Sequence, residues 1–398
     1  MVPAQRDPRL IERDAKLLFS QSAKVEIERA GLNFTGSSPP EVFVGRFNYP
    51  RVFAGILAPT AHEERANMLS APEEWFSRRL SIDRILGERG RMVYGRFVSE
   101  VKSQAPSRLT RVMQEVSMAS QQCDVEFFLK KKPRLQLETS ALTNPVANPA
   151  PLERARLAEN PKVERRVEQL VADEHVKARD AVLELYDRGF FVSQIMKVLS
   201  AGLLGIKKQR TLVPSRWSVT AVDDTVSKSV LEEIYHYPVV DQVLVFSDEY
   251  LGNHYEFILF PQEWSFEVIE TKTGVAGLSL LFWRDYENVQ GRKGYAESVT
   301  GAYYANRLAV VEYLRKVKRQ AGVLVLREVR PEYYAPLGVG ILREVSRNAF
   351  RKEPEVFESV TDALKHVQRR LKVPVAEFAS RSMLLRERRT QTKLSKFF

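Results

Sequence analysis

Apolar residues recur at helical spacing through residues 10–30, where Leu10, Ile11, Leu17, Leu18, Val25 and Ile27 stand among charges and Gly31 offers a stop. The loop 36–40 (Gly-Ser-Ser-Pro-Pro) leads into a short apolar run, 42–46, that reads as a strand with a glycine near its end. Tyr49-Pro50 turns the chain before the next apolar run, 52–57. Residues 73–90 and 108–122 read as helical, 93–101 fits strand or helix, and 123–129 is β-prone until Lys130-Lys131-Lys132-Pro133 ends it. The Asn- and Pro-rich stretch 139–151 reads as the clearest loop.

Asn160 and Pro161 then provide a cap and a first helical position for one stripe, Val163, Val167, Leu170, Val171, Ala178, Val182 and Leu185, stopped by Gly189. A second helix runs from Ser193 towards Gly205. Residues 239–246, 255–260 and 265–270 read as three strands of an antiparallel meander. Helix returns at 303–320, strands at 323–329 and 339–345, and helix at 356–371. Beyond Pro374 the chain is basic and short of core residues. No internal repeat is present. The pattern predicts an α+β body, mixed helical and antiparallel-sheet, with a flexible C-terminal tail.

Composition narrows the class. The 398 residues are 44% apolar and 10% aromatic, enough to bury a core. Sixty-one Lys and Arg against 50 Asp and Glu leave a formal charge of +11, which attracts polyanions, nucleic acid first among them. The one cysteine, Cys123, excludes an internal disulfide and a cysteine-built zinc site. The first residues are polar and Pro-containing, unlike a signal peptide, and no apolar run reaches the roughly 18 residues of a membrane helix. These features predict a soluble cytoplasmic protein.

The last eight residues have a more specific pattern. Counting Gln391 as position one, Leu394 stands at four and Phe397 and Phe398 at seven and eight. Positions i, i+3 and i+4 share one face of a helical turn, so the three apolar side chains form a plug, while the Gln391 amide offers a donor and an acceptor. This peptide resembles the PIP box by which replication and repair proteins bind the sliding clamp PCNA. Two terminal rings would dominate such binding. The preceding Arg386-Glu387-Arg388-Arg389 reads as a solvated spacer.

Three further segments carry a family resemblance: 38–46 (Ser-Pro-Pro-Glu-Val-Phe-Val-Gly-Arg) with Tyr49-Pro50, 212–224 (Leu-Val-Pro-Ser-Arg-Trp-Ser-Val-Thr-Ala-Val-Asp-Asp) and 303–310 (Tyr-Tyr-Ala-Asn-Arg-Leu-Ala-Val). With Arg319-Gln320-Ala321 and Gly338-Val339-Gly340 they resemble the archaeal Nre family of DNA-repair proteins over most of the chain. The resemblance implies a role in DNA repair with the clamp and DNA as partners, but no particular reaction. It implies an N-terminal region over 1–285, a C-terminal region over 286–380 packed on it, and a basic tail over 381–398. Some relatives carry a cysteine-rich metal knot near the N-terminus, and this chain has no cysteine there.

Candidate chemistry in the body centres on two of these segments. In the first, Ser38, Gly45, Arg46 and Tyr49 combine a strand end, backbone amides and a guanidinium suited to phosphate. In the second, Arg216 suits phosphate, Trp217 a stacked base, and Asp223 with Asp224 a ribose or a metal. The same two Asp residues suit the cap of a following helix. The body is thus expected to bind DNA or a nucleotide-type small molecule. The alternatives are a metal-dependent structure-specific nuclease, with Asp285 and Glu287 joining Asp223 and Asp224, or an enzyme acting on ADP-ribose-type ligands. No cofactor is indicated and no metal site is assigned. A Walker-type glycine loop is absent, and the five histidines lack ligand spacing. Asp248, Glu249, His254 and Glu256 lie in an apparent hairpin whose alternation should scatter them. Tyr303-Tyr304 fits a core position better than base stacking, and Cys123 beside Asp124 reads as buried and inert.

Overall fold

The computed structural model describes residues 21–103, 105–274 and 281–390. The chain divides into two compact units. The first is Met1–Val226 with Ala335–Gly340, and the second is Ser227–Tyr334 with Ile341–Phe398. The division falls inside the helix Ser215–Ile234. Both units mix helices and sheet, so the α+β expectation holds. No helix among the described residues is long and apolar enough to cross a membrane.

The first unit is built on strands β1 (Asn33–Ser38), β2 (Glu41–Val44), β3 (Arg51–Pro59), β4 (Met92–Glu100), β5 (Cys123–Leu129) and β8 (Pro149–Leu157), with β6 (Leu137–Glu138) and β7 (Val146–Ala147) as a separate pair. The sheet order is β1-β5-β8-β4-β3-β2. Its neighbours are antiparallel except β4 and β8, which run parallel. β5 shows the cause of its own placement, because Cys123, Val125, Phe127 and Leu129 alternate inward with half-buried Asp124, Glu126 and Phe128. The inward set joins Val52, Ala54, Ile56 and Val93 in the core. Helix Arg108–Met118 closes that face with Val112, Met113 and Val116, and the Ser107 hydroxyl caps it by accepting from Thr110 N.

The second unit holds β9 (Val243–Tyr250), β10 (Asn253–Phe260), β11 (Ser265–Lys272), β12 (Phe282–Glu287), β13 (Gly322–Val329) and β14 (Glu355–Phe357). A tight turn joins β9 to β10, with Leu251 at φ 53° and Gly252 at φ 75°. That left-handed pair matches the twist of the two strands. The order β12-β11-β13-β10-β9-β14 corrects the expected meander. β9 and β10 do form a hairpin, but β13 inserts between β10 and β11 and runs parallel to β11. β10 is buried along its whole length, as suits a strand covered on both faces. One face packs on helices Val360–Val367, Val375–Arg381 and Met383–Thr390. On the other face of the sheet, Phe246 of β9, Phe257 of β10 and Phe266 of β11 meet Tyr313, Phe350 and Tyr303 through aromatic contacts of about 5 Å.

Other expectations change for local reasons. The loop expected over 139–151 ends in β7 and the start of β8. The stripe expected as one helix is broken at Asp173 into Arg165–Ala172 and Ala178–Asp187. Asp173 is extended and accepts from the backbone of His175 and Val176, which turns the chain. Residues 339–345, expected as a strand, belong to the helix Val339–Ala349, whose Val339, Leu342 and Val345 are buried at helical spacing. Of the ambiguous 93–101, all but the last residue lies in β4. The segment beyond Pro374 contributes to the core after all, because Phe378, Leu384 and Leu385 are buried against the sheet. Arg386–Arg389 is likewise helical rather than a loose spacer.

Phe378 packs edge-on to Phe282 with centroids 5.3 Å apart. Replacing it by Ala is expected to cost about 3–5 kcal/mol, measurable by chemical denaturation. A cost near zero would return this segment to the surface.

Candidate nucleic-acid interface

The β2–β3 hairpin ends in a tip in which Gly45 N donates to Phe53 O at 2.7 Å and Arg51 N to Asn48 O at 2.8 Å. The edge of β2 would leave Val44 N without a strand partner, and the Ser215 hydroxyl accepts from it at 2.9 Å. This bond sets the start of helix Ser215–Ile234 beside the tip. Two residues on, Trp217 meets Tyr49 with ring centroids 5.3 Å apart. Arg46 lies over Phe47 at 5.0 Å. Phe47, Tyr49 and Trp217 are 69%, 51% and 43% exposed, and Arg46, Arg51 and Arg216 are exposed as well. Two segments 168 positions apart in sequence (217 − 49) thus form one exposed ring surface, and each segment also carries an exposed arginine. Such a surface can stack bases and pair with phosphate.

The other residues singled out in these segments do structural work. Ser38 is buried, donates to Leu57 O at 2.9 Å and accepts from Glu41 N at 3.2 Å. Gly45 serves the strand ladder. Asp223 and Asp224 do not stand at a helix start, because the helix begins eight residues before Asp223 at Ser215 (223 − 215), and Asp223 is buried within it. Sequence reasoning missed the residues that hold the first motif in place. Glu41 is buried and takes Arg89 at 3.4 Å, Lys197 at 3.0 Å and the Ser70 hydroxyl at 2.5 Å. Burial alone would raise its carboxyl, but Lys197, Arg89 and Ser70 outweigh it and hold the group below the usual carboxylate range. Helix 215–234 does carry a signal in the sequence, the buried Val219, Val222, Val226 and Val230 at helical spacing.

The candidate acidic centres are committed to other work. Asp285 accepts from Arg292 at 2.9 Å and from the backbone of Glu297, Ser298 and Val299 just before helix Thr300–Val317. Glu287 accepts from Trp264 Nε1 at 3.1 Å and Arg307 at 3.0 Å. The strands do not scatter the whole hairpin cluster as expected. His254 lies 2.9 Å from Glu256 and 3.3 Å from Glu249, since 254 pairs with 249 and shares a face with 256. Arg370 grips Glu256 with two nitrogens, and Arg330 pairs with Glu249. Among the described residues no group of three or more His, Cys, Asp or Glu is placed to hold a metal ion.

Ser37, His62 and Asp124 also meet, yet they do not form a nucleophilic relay. The Ser37 hydroxyl donates to Asp124 at 2.6 Å, and His62 uses the same Nδ1 towards both partners. A relay needs the serine on one ring nitrogen and the carboxylate on the other. Cys123 is buried, and burial followed by the Asp124 charge pushes its thiol up to about 12, so it is no nucleophile at neutral pH. Tyr303 and Tyr304 are core residues. The clamp-peptide residues Gln391, Leu394, Phe397 and Phe398 lie outside the described residues.

Comparison with known proteins adds a family. Residues 16–276 match the model described as "Archaeal Nre, N-terminal", and 287–397 the one described as "Archaeal Nre, C-terminal". The chain is 38% identical to the DNA repair protein NreA of Haloferax volcanii, across 89% of this chain and 87% of that one. It is 38% identical to the DNA repair protein NreA of Archaeoglobus fulgidus, across 91% and 89%, and 35% identical to the DNA repair protein NreB of the same organism, across 94% of both. No solved structure matches the chain.

The Glu41 cluster yields a stability prediction. Its folded carboxyl sits below the unfolded value, so its contribution is present above the ordinary carboxylate pKa of roughly 4.3 and is lost as pH falls through the folded value. Glu41→Gln should cost about 3–5 kcal/mol at neutral pH by leaving Arg89 and Lys197 without their anion. Denaturation curves at neutral and acid pH should show the difference from wild type shrinking on acidification.

Proposed function

Since the chain belongs to the archaeal Nre family, we propose that it is a DNA-repair factor whose body binds DNA and whose C-terminal peptide docks it on the sliding clamp PCNA. The relatives' names support the repair role. The observation that carries DNA binding is the exposed Tyr49–Trp217 pair, with Arg46 and Arg216 in the same two segments, in a chain of charge +11. The rings are open to solvent, which favours an extended polymer over an enclosed small ligand. The nuclease alternative loses support because Asp285 and Glu287 are already paired. We assign no reaction.

The clamp reading rests on the spacing of Gln391, Leu394, Phe397 and Phe398. Helix Met383–Thr390 is anchored by buried Leu384 and Leu385 and by the Tyr286 bond to Glu387 at 2.5 Å. The peptide begins at the residue after this packed helix, so little chain separates it from the body.

Fluorescence anisotropy with labelled DNA tests the body. Trp217→Ala with Tyr49→Ala should weaken binding about tenfold or more, and unchanged affinity would remove the tip from the interface. Calorimetric titration of the clamp tests the tail. Phe397→Ala with Phe398→Ala should cost about 2–4 kcal/mol at the clamp with the body still folded, and retained clamp affinity would sink the docking peptide.

A further inference from the structure

Alternate side chains of the first unit's sheet face away from its core. Part of that outer face is covered, where Leu57, Met92 and Tyr94 meet Ala66 and Leu69. The rest is open. Phe53 and Val98, paired across β3 and β4, are 38% and 50% exposed. Arg96, on the same face of β4 as Val98, lays its guanidinium over the Phe53 ring at 4.3 Å. On β5, half-buried Phe128 carries Arg154 at 4.0 Å and Arg156 at 6.0 Å. Arg154 is the register partner of Phe128, and Arg156 also pairs with Glu126 at 2.6 Å.

Two ring-and-guanidinium stations thus stand on one sheet. The strand order β5-β8-β4-β3 separates them by three strand spacings, roughly 14 Å. We propose that this face binds a single unpaired DNA strand, with Phe53 and Phe128 as base-stacking stations and Arg96, Arg154 and Arg156 pairing with the phosphates between them. The inference rests on the DNA-binding reading above and specifies the form of DNA. Duplex bases have their faces occupied by neighbouring bases, so exposed rings gain little from them. An unpaired base can stack on a ring or on the guanidinium plane above it, and the arginines supply the charge that its backbone requires. A duplex would use the arginines alone.

Anisotropy titration of the full chain with a labelled oligothymidylate, a duplex of equal length and an RNA of equal length provides the test. Phe53→Ala with Phe128→Ala should weaken single-strand binding about tenfold or more per ring while changing duplex binding less than about twofold. Arg96→Gln with Arg154→Gln should lower the salt slope of single-strand binding by about 0.7 for each phosphate no longer neutralised. Unchanged single-strand affinity in the ring variant, or an equal loss on duplex, would overturn the proposal and leave the tip as the interface. Tighter binding of RNA than of DNA would overturn the choice of DNA. A wild-type chain that binds no form of DNA would instead remove the DNA-binding reading itself. If the alanine variant does not match wild type in thermal melting, Phe53→Leu with Phe128→Leu keeps the apolar bulk, removes the rings and is read in the same way.

Discussion

A carboxylate withdrawn from water needs a cation or a row of N–H donors, and the second unit meets that need by aiming sheet carboxylates at the starts of its helices. Glu267 of β11 accepts from Ser382 Oγ, Met383 N and Leu384 N at 2.5–3.1 Å where helix Met383–Thr390 begins. Asp285 of β12 does the same before helix Thr300–Val317. Glu328 of β13 accepts from Val373 N at 2.7 Å, just ahead of helix Val375–Arg381, and pairs with Arg330. Each carboxylate ties its strand to the start of a helix, so a register slip in the sheet would move a buried charge to the wrong face and strand it there. The layers are thereby locked together by charge as well as by apolar packing.

The first unit meets the same need with cations instead. Glu41 with Arg89 and Lys197 holds the start of β2, and the hairpin that follows is set by it. That anchoring is what allows the tip to leave Phe47 and Tyr49 in solvent without losing its shape. An exposed aromatic group held on a rigid support loses little entropy when it binds. The outer sheet face follows the same logic, since its rings stand on strands fixed by the core beneath.

Much of the secondary structure was legible because alternation and helical spacing are local. β5 shows its period in seven residues, and Val360 to Val367 shows a helical stripe. The misreadings have physical causes. Val339 to Val345 holds β-prone residues, yet its spacing puts the buried ones on one helical face. The helix from Ser215 was hidden by Asp223 and Asp224, which read as punctuation but sit in its interior. Of the candidate site, the rings and arginines were legible by type. The contact of Tyr49 with Trp217 was not, because nothing local relates a hairpin tip to a helix start far along the chain.

The sequence alone determined the family resemblance, the net positive charge, the presence of a single cysteine and the spacing of the C-terminal peptide, since these depend on residue type and order. Only the tertiary structure decided which acids were free for chemistry. Glu41, Asp285 and Glu287 look alike as letters, and each is consumed by partners brought from elsewhere in its unit. Pairing strength depends on distance and burial, and both arise only when the strands and helices have packed.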